Sequence, residues 1–219
     1  MIVKWLGHSC FHILGENGRS ILMDPFNEDE VGYPMPKMDV DIVTISHDHL
    51  DHNNVDAAGE GPDVIFGPGE YTSYDMILRG IESYHDEKKG KIRGENTIFC
   101  FELDGVRVCH LGDLGHVLSK AQIAEIGPVD LLFIPVGGRF TIDATNAEKV
   151  MQQLQPKVTV PMHYRTKALA FELGPVDDFL KGKVGVTAQE KLQMTGKDLS
   201  GECRVVLLSC PAAEGQVNR

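Results

Sequence analysis

The chain has 219 residues, of which 42% are hydrophobic and 24% charged, so it can bury a sizeable core without covalent staples. Its 21 Lys plus Arg stand against 32 Asp plus Glu, a net charge of −11. That balance argues against a nonspecific nucleic-acid binder and against a polybasic membrane patch. The five cysteines (Cys10, Cys100, Cys109, Cys203 and Cys210) form no CxxC and are odd in number, which suits reduced thiols in the cytoplasm better than a disulfide framework. The N-terminus has no basic region leading a long apolar stretch, and no run approaches the roughly 20 residues of a membrane span. A cytoplasmic protein with no membrane insertion is the expectation.

In chain order, Ile2–Trp5, Cys10–Leu14 and Ser20–Met23 read as three strands, the second and third joined by a hairpin at Gly15–Gly18. Residues 27–37 are polar and Pro-rich and read as a loop. Asp41–Ser46 is a β-branched apolar run, the pattern of a buried strand. Val64–Phe66 and Ile77–Tyr84 follow as strands. Thr97–Leu103 and Val106–Leu111 flank Asp104-Gly105, a hairpin turn. Ser119–Ile126 has helical spacing behind a Ser cap, Asp130–Val136 is a strand, and Asp143–Leu154 is a helix. Lys157–Pro161, a short helix at Val176–Leu180 and a last strand at Arg204–Leu208 complete the pattern. No linker divides the chain, so residues 1–219 are expected to form a single α/β domain of stacked layers.

The chemistry concentrates directly after the strand at Asp41–Ser46. His47-Asp48-His49-Leu50-Asp51-His52 puts three imidazoles and two carboxylates into six residues. On extended chain, residues two apart point the same way, so His47 and His49 can present two nitrogens to one ion. A turn after them lets Asp51 and His52 face a neighbouring ion. Imidazole with carboxylate suits zinc, and manganese or iron would also bind such ligands. Further ligands are expected at other strand ends: His85, Asp113 and His163. Asp113 has two oxygens and can bridge two ions.

At these residues the sequence resembles the metallo-β-lactamase-fold hydrolases, most of all the branch related to L-ascorbate-6-phosphate lactonase and N-acyl phosphatidylethanolamine phospholipase D. The resemblance runs from Trp5-Leu6-Gly7-His8-Ser9 through Met23-Asp24-Pro25-Phe26, the HxHxDH run and Gly112–His116 to Pro161-Met162-His163-Tyr164. It implies a four-layer αββα sandwich with the metals at one edge, among strand-end loops. It also implies a ligand set: His47, His49 and His85 for a first metal, Asp51, His52 and His163 for a second, with Asp113 bridging. His110, three residues before Asp113, competes with His85 for the first metal. Asp24 is a candidate either to orient a ligand imidazole or to stand as a polar strand-end residue satisfied by backbone. His8, His116 and Tyr164 have open roles: for Tyr164, oxyanion donor or packing; for His116, a place near substrate or a plain surface histidine. Gly137-Gly138 follows a strand and permits a close backbone approach, to a ligand or within the fold. Lys88, Lys89, Lys91 and Arg93 lie in a solvated run that an anionic substrate would meet.

The activity expected is metal-assisted hydrolysis. A metal-bridged hydroxide would attack a small ester, lactone or phosphoester, with Asp51 orienting or deprotonating the water. No GxSxG elbow or P-loop appears, so no serine nucleophile or nucleotide cradle is called for. The expected partner is a small molecule, possibly anionic, and no nucleic acid. The rival expectations are a phosphodiesterase or nuclease, which this short acidic chain suits less well, and a metal-binding module without catalysis.

Overall fold

A computed structural model describes residues 1–200 and 203–215. Strands β1 (Ile2–Gly7), β2 (Cys10–Leu14) and β3 (Ser20–Met23) form an antiparallel meander. Helix α1 (Glu28–Val31) follows, then β4 (Ile42–Ile45) and β5 (Asp63–Phe66), which continue the sheet in parallel. The next strands are β6 (Gly69–Ser73), β7 (Met76–Tyr84), β8 (Glu95–Leu103) and β9 (Val106–His110), paired antiparallel in series. Then come α2 (Lys120–Ile126), β10 (Leu131–Pro135), α3 (Ala144–Leu154), β11 (Val158–Met162), α4 (Val176–Leu180), β12 (Thr187–Gln189), β13 (Leu192–Gln193) and β14 (Arg204–Leu208).

Among the described residues these strands form two sheets, ordered β13-β1-β2-β3-β4-β5 and β12-β14-β11-β10-β9-β8-β7-β6. Phe11 of the first and Phe133 of the second stack at 4.1 Å between ring centroids and are fully buried. They belong to one continuous apolar core. Strands β3, β4, β10 and β11 are buried along their whole length, as strands covered on both faces must be. Strand β1 instead alternates, with Val3 and Trp5 buried and Lys4 exposed. Helix α3 turns Ala147, Val150 and Leu154 inward, and the Asp143 carboxylate caps it by accepting from the Asn146 amide. Helix α2 carries a capping box between Ser119 and Gln122. The architecture is α/β, two sheets packed face to face with helices in the connections, as expected for a four-layer αββα sandwich.

The sequence reading departs from the structure at short elements. Residues 27–37 contain the one-turn α1, closed by Gly32 at φ 95°. Strands β6, β12 and β13 have no apolar alternation of their own and exist because longer strands offer them an edge. Among the described residues no helix is long and apolar enough to cross a membrane.

Candidate metal centre

The residues singled out for chemistry follow strand ends. His8 follows β1, Asp24 follows β3, and His47 to His52 follow β4. His85 follows β7, Asp113 lies three residues past β9, and His163 follows β11. This is the edge where parallel strands deliver their loops and where open α/β sheets gather ligands. His8, Asp24 and His163 take positive φ of 45–50°, so the chain turns sharply as it leaves each strand.

The structure brings together His47, His49 and His85, each offering a ligand atom within 4.8 Å of the others. A second group joins Asp51, His52 and His163 with His8, and Asp113 groups with His47 and His52. The Asp113 carboxylate lies between the two groups. Its Oδ2 is 3.2 Å from His85 Nε2 and 3.1 Å from His163 Nε2, and its Oδ1 is 3.4 Å from His52 Nε2. A backbone contact fixes its place, because the Asp113 amide donates to Asn96 Oδ1 at 2.8 Å.

Three imidazoles have one ring nitrogen tied to an acceptor behind them. His52 Nδ1 donates to Asp24 Oδ2 at 2.9 Å. His85 Nδ1 donates to the Phe140 carbonyl at 3.0 Å. His47 Nδ1 donates to Ser46 Oγ at 2.9 Å, and that hydroxyl in turn donates to Asp24 Oδ2 at 2.6 Å. Each proton is thereby placed on Nδ1, leaving the Nε2 lone pair free. His47 Nε2 and His52 Nε2 are buried with no hydrogen-bond partner. Orphaned acceptors facing carboxylates have no reason to be buried unless a cation completes them. The donor set therefore fits divalent metal.

The acids and imidazoles of the cluster shift one another: Asp113, Asp51 and Asp24 hold His52 well above the ordinary imidazole range against the cost of burial, so without a cation it is the imidazole that balances their charge. Burial raises the Asp24 carboxyl, but the His52 hydrogen bond, the neighbouring imidazoles and the Ser46 hydroxyl outweigh it and hold the group below the usual carboxylate range. Asp113 and Asp51 are likewise held low by adjacent imidazoles against the cost of burial. His8 is pushed down to about 4 by burial and by His163, so it is neutral at pH 7. Its Nε2–H donates to Asp51 Oδ2 at 3.1 Å.

The other candidates sit outside this cluster. His110 uses both nitrogens on backbone: Nε2 donates to the Ser9 carbonyl at 2.9 Å and Nδ1 accepts from the Gly112 amide at 3.1 Å. His116 accepts from the Tyr84 amide and donates to the Val117 carbonyl. Tyr164 is buried against Trp5, centroids 5.2 Å apart, and lines a different cavity from the one over the histidines. Gly137 makes its close approach to the His163 backbone, where a Cβ would overlap the carbonyl, and Gly115 makes the same kind of approach to His85. Of the charged run, Arg93 lines the cavity over the cluster; Lys88, Lys89 and Lys91 do not. Sequence reasoning missed Ser46, Asn96 and the Phe140 carbonyl, whose roles depend on backbone placement.

Comparison with known proteins gives the same answer as the geometry. The family model described as the β-lactamase superfamily domain matches residues 2–163. The chain belongs to the metallo-β-lactamase superfamily. It is a metal-dependent hydrolase of that superfamily, as are its relatives. A UPF0173 metal-dependent hydrolase of Pyrococcus abyssi is 30% identical over 194 residues, covering 75% of this chain and 84% of that one. One from Carboxydothermus hydrogenoformans is 29% identical over 210 residues, covering 81% and 91%. Among solved structures, a Thermotoga maritima chain assigned to this superfamily as a Zn-dependent hydrolase is 40% identical. It superposes with a TM-score of 0.80 over 94% of this chain and 97% of its own.

Proposed function

We propose that this metal-dependent hydrolase uses two divalent ions, zinc by preference, to hydrolyse a small ester, lactone or phosphoester. His47, His49 and His85 would hold one ion, Asp51, His52 and His163 the other, and Asp113 would lie between them. When bound, such ions supply Lewis acidity and bring the pKa of a bound water towards about 7. The observation that carries the reading is the set of Nδ1–H groups tied back to Asp24, Ser46 and Phe140, which leaves the Nε2 lone pairs free.

The chain's own residues do the rest. Asp24 fixes the ring planes of His52 and, through Ser46, of His47. Asp51 is a quarter exposed and faces the cavity, where its carboxylate can orient an attacking water or take its proton. That cavity, about 570 Å³, suits a small molecule, and the net charge of −11 supports this over a nucleic-acid substrate.

The test is elemental analysis of protein purified without chelator, wild type against a His47→Ala, His163→Ala double variant. About two equivalents in wild type and a sharp fall in the variant support the reading. Absence of metal in wild type even after reconstitution overturns it. A panel of carboxylic esters, lactones and phosphodiesters then identifies the bond.

A further inference from the structure

The cavity over the metal cluster has a polar floor and an apolar mouth. The floor is His49, Asp51, His85, Asp113 and His163. The walls are Leu50, Ile92, Phe140 and Phe171. Leu50 and Ile92 are 55% and 64% exposed, on a chain that otherwise buries most of its large apolar side chains. Phe140 and Phe171 meet edge to face, 6.0 Å between centroids. Exposed apolar side chains scattered singly mean little, but two exposed ones facing two half-buried rings around one opening form a surface for a ligand.

The loop that supplies Ile92 is built rather than loose. The buried Asp86 carboxylate accepts four backbone N–H groups, from Lys88, Gly90, Ile92 and Arg93, at 2.7–3.1 Å. Ile92 is therefore held at the rim against its own preference for burial. The mouth's charges offset: Glu30 is the one acid outside the floor and Arg93 the one base. Arg93 already donates to the Arg139 carbonyl and lies over the Phe140 ring at 5.5 Å. Arg139 lies 5.3 Å from the same ring but pairs with Glu172 and does not line the cavity, so among the lining residues Arg93 has no second base beside it to take a remote phosphate or carboxylate.

We infer that the substrate carries an uncharged apolar group, an alkyl or aryl chain of about four to six carbons, next to the bond that is cleaved, and that this group seats against Leu50, Ile92, Phe140 and Phe171. This rests on the hydrolase reading above, since the polar end of the substrate is taken to reach the metal cluster.

The test uses carboxylates as product-like probes on zinc-reconstituted protein, with zinc content measured on the same samples. Affinities for acetate, butanoate, hexanoate and adipate are read by titration calorimetry. Each added methylene up to hexanoate is expected to tighten binding by up to about fourfold. Adipate, as long but charged at its far end, is expected to bind no better than butanoate. In Ile92→Ser, at a rim position 64% exposed, the hexanoate advantage should shrink while acetate binding and zinc content hold, which also reports an intact fold. Equal affinity for acetate and hexanoate at full zinc content, or adipate binding more tightly than hexanoate, overturns this inference and leaves the hydrolase reading standing. Failure to take up zinc or any other divalent metal overturns the hydrolase reading, and this inference with it.

Discussion

Asp24→Asn tests the metal centre with the least change of shape. Asp24 Oδ1 accepts from the Ser46 amide at 2.8 Å, and Oδ2 accepts from the Ser46 hydroxyl at 2.6 Å and His52 Nδ1 at 2.9 Å. Asparagine keeps the volume but has one acceptor oxygen and a donor in place of the other. With its oxygen at the Oδ1 position, its NH₂ confronts two donors. His52 then moves its proton to Nε2 or swings away, and Ser46 turns, loosening His47. With its oxygen at the Oδ2 position, the buried Ser46 amide loses its partner instead. Replacing an outer partner of a metal-binding histidine costs about 10–100-fold in metal affinity, or about 1.4–2.7 kcal/mol. The upper end applies here, because one carboxylate orients two imidazoles. The metal-free fold loses a charge-assisted hydrogen bond and gains an unsatisfied donor, together about 2–4 kcal/mol. A typical domain tolerates that with a lowered Tm. The assay is zinc competition against a chromophoric chelator, beside thermal melting of chelator-treated protein. A folded variant whose zinc affinity matches wild type within about twofold would refute the reasoning: Asp24 would then brace the turn without setting the imidazole tautomers.

Three more expectations follow from the same structure. His8→Ala removes the donor to Asp51 Oδ2 and should weaken zinc retention on the order of tenfold in the same competition assay; unchanged affinity would confine His8 to packing. Gly115→Ala places a Cβ against the His85 backbone and should cost about 1–3 kcal/mol of stability together with zinc affinity, read by urea unfolding and by competition; a variant as stable as wild type would mean the loop yields freely. Asp130 lies far from the metal centre. Its carboxylate accepts from Arg107 Nε and Nη2, both at 2.7 Å, and these hydrogen bonds hold its pKa below the usual range. A carboxyl lowered on folding stabilises the protein above its unfolded pKa of about 3.9 and loses that contribution as pH falls through the folded value. Arg107 is nearly half exposed, so the advantage over Asp130→Asn should be only about 1–2 kcal/mol at pH 7, shrinking below about pH 4; a gap that grows on acidification would contradict the sign.

What the sequence reveals here is what a single residue type can carry. The buried strands are legible because Asp41–Ser46 and Asp130–Val136 are unbroken apolar runs, and β4 and β10 occupy them. The HxHxDH run is legible because alternate residues of an extended segment share a side, and His47 and His49 meet with ring centroids 4.5 Å apart. The choice between His85 and His110 is different, because one stands just past an apolar strand and the other at the end of one, and either could reach Asp113. It turns on acceptors that no side-chain pattern encodes. The Phe140 carbonyl takes His85 Nδ1–H and leaves Nε2 free, whereas the Ser9 carbonyl takes the Nε2–H of His110 and the Gly112 amide occupies its other nitrogen. Backbone groups from distant loops therefore decide which imidazole keeps a lone pair for a cation. The same reason hides Ser46 and Asn96, ordinary polar residues in sequence that become structural once the end of β4 in one sheet meets the start of β8 and the turn after β9 in the other. The mouth is hidden too: Leu50, Ile92, Phe140 and Phe171 lie on four separate segments, and only the closure of the two sheets makes them one surface.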